Sequence, residues 1–244
     1  MSLFDGMYAY EVVLLILGVL LFLLLAGLLV TLAVRGKAFS GLLFFFAIPI
    51  AMIGYPSIQK ITFQDGAVSI EKTTEQLQAA PTDATVRSSL EQQVASLASR
   101  PTTDPAALTN IAKAQFALGN QAVAETTLQK ALQKAPTLPQ AMALKQRIEI
   151  DRGLSTLTSQ LAQHPGDAAV RQQLASTVAQ SASLKIASPV FLGHVAMAHA
   201  ALGDKAKAQA SAETALKINP NLAEAKQLKS LAAPLSPPRP PFAR

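Results

Sequence analysis

The feature that most constrains the fold is an internal repeat, in which residues 76–141 recur 84 positions later as residues 160–225. Aligned without gaps, the two segments are identical at about 26 of 66 positions. The matched positions include Pro81 and Pro165, Val86 and Val170, Gly119 and Gly203, and Pro136 and Pro220. Repeated units stack because one unit alone buries too little apolar surface. We therefore predict that residues 76–233 are a tandem duplication forming one stacked domain.

Each unit carries a helical pattern, with apolar residues three or four positions apart in two runs. Asp104-Pro105 and Ser188-Pro189 have the form of a helix N-cap followed by proline in the first turn. Glycine separates the two runs in each unit, and a proline ends the second run. The pattern predicts an all-α domain of helical hairpins.

These positions resemble the tetratricopeptide repeat, a helical hairpin of about 34 residues. The resemblance rests on Leu108, Ile111, Ala112, Gly119, Ala124, Leu128, Ala131 and Pro136, and on Leu192, Val195, Ala196, Gly203, Ala208, Ala212, Ala215 and Pro220. Gln115 and His199 stand where the family usually has tyrosine, and Ala212 replaces a bulky apolar residue. The resemblance implies that segments 82–99, 138–163, 167–184 and 222–231 are further helices of the same solenoid.

In tetratricopeptide proteins the first helix of each hairpin lines a concave groove for a peptide or another protein. Carried over by position, the groove residues are Ala106, Thr109, Lys113, Phe116, Val190, Gly193, Met197 and Ala200. Phe116 and Met197 would supply apolar contacts, and Lys113 would meet a carboxylate. The alternative for Phe116 is packing against a neighbouring repeat. The basic clamp that some family members use is not reproduced, because Thr109 and Gly193 lack the required side chains.

The N-terminal part is strongly apolar. Residues 12–34 are a run of 23 uncharged positions, and residues 38–58 are a second run of 21. The first is long enough to cross a bilayer and exceeds the apolar stretch of a cleaved signal. We predict a transmembrane hairpin over residues 1–58. Because Arg35 and Lys37 lie in its loop, the loop should be cytoplasmic and the soluble domain outside.

This topology corresponds to a multi-pass protein of a bacterial inner membrane with a periplasmic domain, and Tyr8, Tyr10 and Tyr55 would share the outer interface. Were the second run re-entrant, the soluble domain would be cytoplasmic. Residues 59–75 alternate apolar and polar around Asp65-Gly66, which predicts a β-hairpin linker. The Pro-rich segment 234–244 is expected to be a disordered tail, with a polyproline ligand as the alternative.

The sequence offers little for catalysis. It has no cysteine and three histidines, and His194 and His199 are five positions apart, which does not suit a shared metal. Glu149 and Asp151 point to different sides of a helix. The net charge of +6 is scattered, which argues against nucleic-acid binding. We predict no enzymatic activity, no cofactor and no metal.

The function predicted from these features is a membrane-anchored scaffold that presents a helical solenoid to a protein partner, for assembly or chaperoning in the cell envelope. Two alternatives stay open. The combination resembles the cytochrome c maturation subunit that captures apocytochrome, although the long loop of that family is reduced here to Arg35-Gly36-Lys37. The other alternative is a structural membrane subunit that assembles with copies of itself.

Overall fold

The computed structural model describes residues 7–35, 44–184 and 186–232. Within these ranges the protein is all-helical and contains no strand, which confirms the all-α prediction for the repeats. Its helices are α1 (Ala9–Val34), α2 (Ala47–Ala79), α3 (Ala84–Ala98), α4 (Pro105–Leu118), α5 (Gln121–Lys134), α6 (Pro139–Gln163), α7 (Ala168–Ala182), α8 (Pro189–Leu202), α9 (Lys205–Ile218) and α10 (Ala223–Ala232).

From α2 onward the helices stack as a solenoid of consecutive pairs. The pairs are α2 with α3, α4 with α5, α6 with α7 and α8 with α9, and α10 packs on the last pair. The first helix of each pair also contacts the first helix of the next, so that α2, α4, α6, α8 and α10 form one continuous row. Successive repeats therefore share a core that runs along the molecule, as expected of stacked units.

The predicted start and turn signals are confirmed. The Asp104 carboxylate accepts a hydrogen bond from the Ala106 amide at 3.1 Å, and the Ser188 hydroxyl accepts one from the Phe191 amide at 3.4 Å. Gly119 and Gly203 end α4 and α8 with φ of +94° and +89°. Glycine adopts this left-handed conformation without the steric cost that a Cβ brings.

The helix bounds recur with the spacing found in the sequence. Helices α3, α4 and α5 begin and end 84 positions before α7, α8 and α9. The N-caps of α3 and α7 match as well, because Asp83 and Asp167 each accept two backbone N–H bonds from the first turn of their helix. Corresponding residues in the two segments thus occupy corresponding structural positions.

The prediction of a β-hairpin over residues 59–75 is wrong, because this segment lies inside α2. The boundaries predicted at 58 and 75 therefore also fall within one helix. Phe63, Ala67, Ile70 and Leu77 are all buried, and their spacing follows one side of a helix. Gly66 marks a close approach of two helices rather than a turn, since an added Cβ would lie 3.0 Å from Leu97 Cδ1. The short alternating stretch fits the periodicity of a strand as well as that of a helix. Only the pattern over the longer segment of α2 distinguishes the two.

Among the described residues one helix is long and apolar enough to cross a membrane, over Ala9–Leu32. Its length and composition fit a membrane span or a signal sequence. Most of its side chains are exposed, so it is not the core helix of a globular domain.

The other predicted N-terminal and C-terminal features are described only in part. Of the second apolar run, residues 38–43 lie outside the described residues, as do Gly36 and Lys37 of the loop, and the remainder leads into α2. The start of α2 does not meet the same length and composition criteria. The predicted tail, residues 234–244, also lies outside the described residues.

Helices α1 and α2 pack closely and run antiparallel. A Cβ added to Gly18 would lie 2.9 Å from Met52 Cβ. The rings of Phe22 and Phe46 are 5.4 Å apart and edge-to-face. Because α2 also begins the solenoid, the apolar helix is joined to the repeats by direct packing as well as by the chain.

Candidate partner-binding surface

The four groove residues predicted on α4 lie in different surroundings. Thr109 is 1% exposed, and its hydroxyl donates a hydrogen bond to the Pro105 carbonyl at 2.7 Å. Phe116 is 4% exposed. Ala106 is exposed and Lys113 is half-buried. Two of the four side chains are therefore inside the protein, which corrects the prediction that all of them face a partner.

Helix α2 covers part of the predicted groove on α4. The Asn110 amide nitrogen donates a hydrogen bond to the Ala67 carbonyl of α2 at 3.3 Å. Lys113 Nζ lies 3.7 Å from Glu71 Oε1, so the lysine meets a carboxylate of its own chain. This contact is not predictable from the local pattern, because the segment containing Glu71 alternates apolar and polar residues as a β-hairpin does.

Phe116 packs between the two units. Its ring is edge-to-face with that of Phe191 on α8, with 6.5 Å between the centroids. Both rings belong to one core cluster that also contains residues of α5, α6 and α7. The packing alternative considered for Phe116 therefore agrees with the structure.

The segment before α8 also contacts the first unit. Ala187 is fully buried in a cluster with residues of α2, α3 and α4. Arg87 Nη2 on α3 donates a hydrogen bond to the Ala187 carbonyl at 3.4 Å. A Cβ on Gly119 would lie 3.3 Å from Val190 Cγ2. The two units thus contact each other directly near the end of α4, which leaves little of this part of the predicted groove open.

The predicted residues on α8 are mostly half-buried. Gly193 is buried, but Val190, Met197 and Ala200 are half-buried. Val190, Met197 and Ala200 are spaced by seven and three positions and so lie on one side of α8. We call these three residues the α8 face. It is the part of the predicted groove in which three residues keep partial exposure, although Val190 also contacts Gly119 and a core cluster.

Comparison with known families identifies the second pair of the duplicated pattern. A family model described as Tetratricopeptide repeat matches residues 191–222, which cover α8, α9 and the turn that follows. Residues 191–222 are a tetratricopeptide repeat. Comparison with curated proteins gave no match, and neither did comparison with solved structures. Tetratricopeptide repeats are typically non-catalytic and generally bind protein partners or peptides.

The tetratricopeptide repeat carries one polar contact that sequence reasoning missed. His194 Nδ1 on α8 lies 2.6 Å from Asp151 Oδ1 on α6, and Asp151 is 1% exposed. The signal was present in α6, where Asp151 occupies the buried side between Ile148 and Leu154. A polar residue at a core position indicates a buried partner.

His199, on the same helix, stands where the family usually has tyrosine. Burial lowers the pKa of its imidazole below the ordinary 6.5, partly opposed by the Asp204 carboxylate. His199 is half-buried and lies in the last turn of α8. Within the described ranges no group of three or more His, Cys, Asp or Glu side chains is placed to hold a metal.

Proposed function

We propose that this protein is a membrane-anchored scaffold that holds a protein partner on a tetratricopeptide solenoid beside the bilayer. The observation that carries the proposal is the tetratricopeptide repeat at residues 191–222, in a chain whose apolar helix α1 packs on the first helix of the same solenoid. Repeats of this type generally bind proteins or peptides. The direct packing supports a domain held close to its anchor.

The first unit is proposed to be a second copy of the same repeat, derived by tandem duplication. The 84-residue offset in helix bounds supports this origin, as do the two left-handed glycines at Gly119 and Gly203. Helix α6 packs on α8 as α2 packs on α4, and Asp151 and His194 stand at the positions that match Ala67 and Asn110. On this proposal the copies differ in that Val190, Met197 and Ala200 of α8 keep partial exposure, whereas Thr109 and Phe116 of α4 are buried.

The membrane anchor is proposed to consist of α1 with the start of α2 beside it. Exposed apolar side chains continue from α1 onto Phe44 and Phe45, which precede α2, and onto Ile48 and Ile50 in its first turn. A bilayer would cover this surface, which is costly to leave in water. Because α2 runs antiparallel to α1, the solenoid emerges on the side of the N-terminus, near the exposed rings of Tyr10 and Tyr55.

Arg35 and Lys37 follow α1 in the sequence, and by the positive-inside rule they support a solenoid outside the cytoplasm. The compartment we propose is the periplasm of a bacterium. The partner we propose is an envelope protein that docks on the α8 face through apolar contacts. Met197 is the largest side chain of that face and adapts its shape to a partner.

Crosslinking in native membranes followed by mass spectrometry tests the scaffold proposal. We expect a defined partner crosslinked to the wild type and lost in Met197→Glu, which puts a carboxylate into the α8 face. Met142→Glu is the matched control, because Met142 is an exposed methionine on α6 outside that face. Crosslinks only between copies of this chain, unchanged by Met197→Glu, would instead support the self-assembling subunit and contradict the scaffold.

A further inference from the structure

A cavity of about 490 Å³ lies in the first unit, between the loop that follows α3 and the helices α4 and α5. Leu97, Leu108 and Ile111 form its apolar wall, and the lining as a whole is more apolar than polar. Tyr8, just before α1, also lines it. Because apolar surface is favourably removed from water, a matching occupant is one that is mainly apolar.

The corresponding loop of the second unit supplies apolar side chains of its own to the core. Leu184 and Ile186, in the segment before α8, pack against the core cluster there. The residues 84 positions earlier are Arg100 and Thr102, which are polar and line the cavity. The first unit therefore lacks two aliphatic groups that the second unit has. An occupant that brings apolar side chains would complete the first unit in the same way.

A buried amide group in the lining needs a hydrogen-bond donor. Gln115 lines the cavity and is 5% exposed, and its Oε1 accepts no hydrogen bond within the part of the chain that the structure describes. A buried acceptor in this state costs free energy unless a donor reaches it. A hydrocarbon chain would cover the apolar wall but leave this oxygen unpaired. A peptide segment meets both requirements, because it carries apolar side chains together with backbone N–H donors.

The residues that lead into α1 lie beside this cavity. The Tyr8 N–H donates a hydrogen bond to Glu11 Oε2 at 2.8 Å, which holds the first turn of α1. The Tyr8 hydroxyl donates to the Ser99 carbonyl at 3.2 Å, and Ser99 lines the cavity as Tyr8 does. Met7 is 5% exposed. The chain just before α1 is therefore packed against the protein at the cavity.

Residues 1–6 have the composition and the reach to enter the cavity. Leu3 and Phe4 are adjacent apolar residues, five and four positions before Tyr8. An extended chain spans about 3.3–3.6 Å per residue, so Leu3 can lie up to roughly 17 Å from Tyr8. Attachment to the same chain also gives this segment a high effective concentration, which a separate peptide or lipid does not have.

We propose that residues 1–6 dock in this cavity, with Leu3 and Phe4 against its apolar wall and a backbone N–H of the segment donating to Gln115 Oε1. The segment then takes the place that Leu184 and Ile186 have in the second unit. Docking fastens the start of α1 to α4 and α5, in addition to the packing of α1 on α2. This intramolecular site goes beyond the proposed scaffold function and does not depend on a partner.

Disulfide formation in the full chain, purified in detergent, tests the docking, because the chain has no cysteine of its own. Ser2→Cys keeps both apolar residues of the segment, and Lys130→Cys puts a second thiol at an exposed position that lines the cavity. The matched control is Ser2→Cys/Gln129→Cys. Gln129 is exposed on the same helix but lies about 100° around it and lines the groove between α5 and α6.

We expect the intramolecular disulfide to form at least about 10-fold faster with position 130 than with position 129, because docking raises the effective concentration of the first thiol only at the cavity. Peptide mass spectrometry after mild oxidation measures both rates. Equal rates for the two pairs would overturn the proposal.

Two variants in the Ser2→Cys/Lys130→Cys background test the apolar contacts. Leu3→Ser/Phe4→Ser removes the apolar side chains of the segment, and Arg100→Leu/Thr102→Ile fills the space with aliphatic side chains as in the second unit. We expect each variant to lower the rate to that of the control pair, and circular dichroism checks that helical content is kept. An unchanged rate in either variant would overturn the proposal. Partner crosslinking is not measured here, so failure of the scaffold proposal stays distinguishable.

Discussion

At the scale of single residues, the contact between Asp151 and His194 shows how the second unit fixes one helix against another. The carboxylate is almost fully buried, and the imidazole is its partner from the adjacent helix of the same row. A buried carboxylate is stable only when it is hydrogen-bonded. This pair therefore links α8 to α6 by a directional polar contact in addition to the apolar contacts around it.

Replacing Asp151 by alanine should lower the free energy of unfolding by about 3 kcal/mol, because one partner of a buried pair is removed. Glu149→Ala is the control on the same helix: Glu149 is exposed and pairs with Lys145 at 3.7 Å, so its loss should cost less than about 0.5 kcal/mol. Urea unfolding followed by circular dichroism measures both. Equal costs for the two variants would mean that the buried pair contributes no more than a surface one.

His199 makes stability depend on pH. Its pKa is lower in the folded protein than the ordinary 6.5, because burial disfavours the imidazolium. As pH falls below about 6.5, the unfolded chain binds the proton first, so stability is full above that value and declines toward the lowered pKa. His199→Gln introduces the residue found at the matching position 115, and we expect it to reduce the loss of urea midpoint between pH 7.5 and 5. An unchanged pH dependence would contradict this assignment.

At the scale of helices, the two glycine turns are alike in conformation and different in surroundings. Gly119 and Gly203 both have left-handed φ. A Cβ on Gly119 would meet Val190 and Pro189 of the other unit, whereas a Cβ on Gly203 would meet nothing within 4 Å. The first turn is therefore also a contact between units.

Gly203→Ala should cost about 1 kcal/mol of folding free energy from backbone strain alone. Gly119→Ala should cost more, because the same strain is joined by crowding against Val190. Thermal unfolding of the two variants under one condition gives the difference. If the two substitutions cost the same, the contact between Gly119 and Val190 is not tight in solution.

The helices were predictable where local chemistry determines them. Asp104-Pro105, Ser188-Pro189 and the two glycines are signals that act within one turn, and the structure has helix ends at each. In segment 59–75 the local signal is misleading, because Asp65-Gly66 is typical of a turn and only packing against α3 explains the glycine. The covering of α4 by α2 could not be predicted, because it depends on contacts between residues about 40 positions apart.

At the scale of the whole molecule, the two units and the apolar helix form a connected series. Phe116 and Phe191 join the units, and α1 packs on α2, which in turn packs on α4. The half-buried α8 face lies in the unit farther along the chain from α1. The proposed anchor and the proposed docking surface are thus far apart in the sequence, and consecutive packed helices connect them.

The proposed topology is testable by cysteine labelling, because the chain has no cysteine of its own. Gln129→Cys places a thiol at an exposed position on α5, and we expect an impermeant maleimide to label it in cells whose inner membrane is intact. Gly36→Cys, between the two basic residues of the loop, should react only after that membrane is permeabilised. The reverse pattern would put the solenoid in the cytoplasm.

Helix α2 extends through 33 residues, roughly 50 Å, from beside α1 into the repeats without an intervening loop. In the proposed anchored state it connects the membrane anchor to the repeats rigidly rather than flexibly. A flexible linker would let the repeats adopt many orientations above the membrane. Its only effect on a bound partner would be to raise the partner's local concentration there. A continuous helix instead holds the bound partner at one distance from the membrane and in one orientation relative to it.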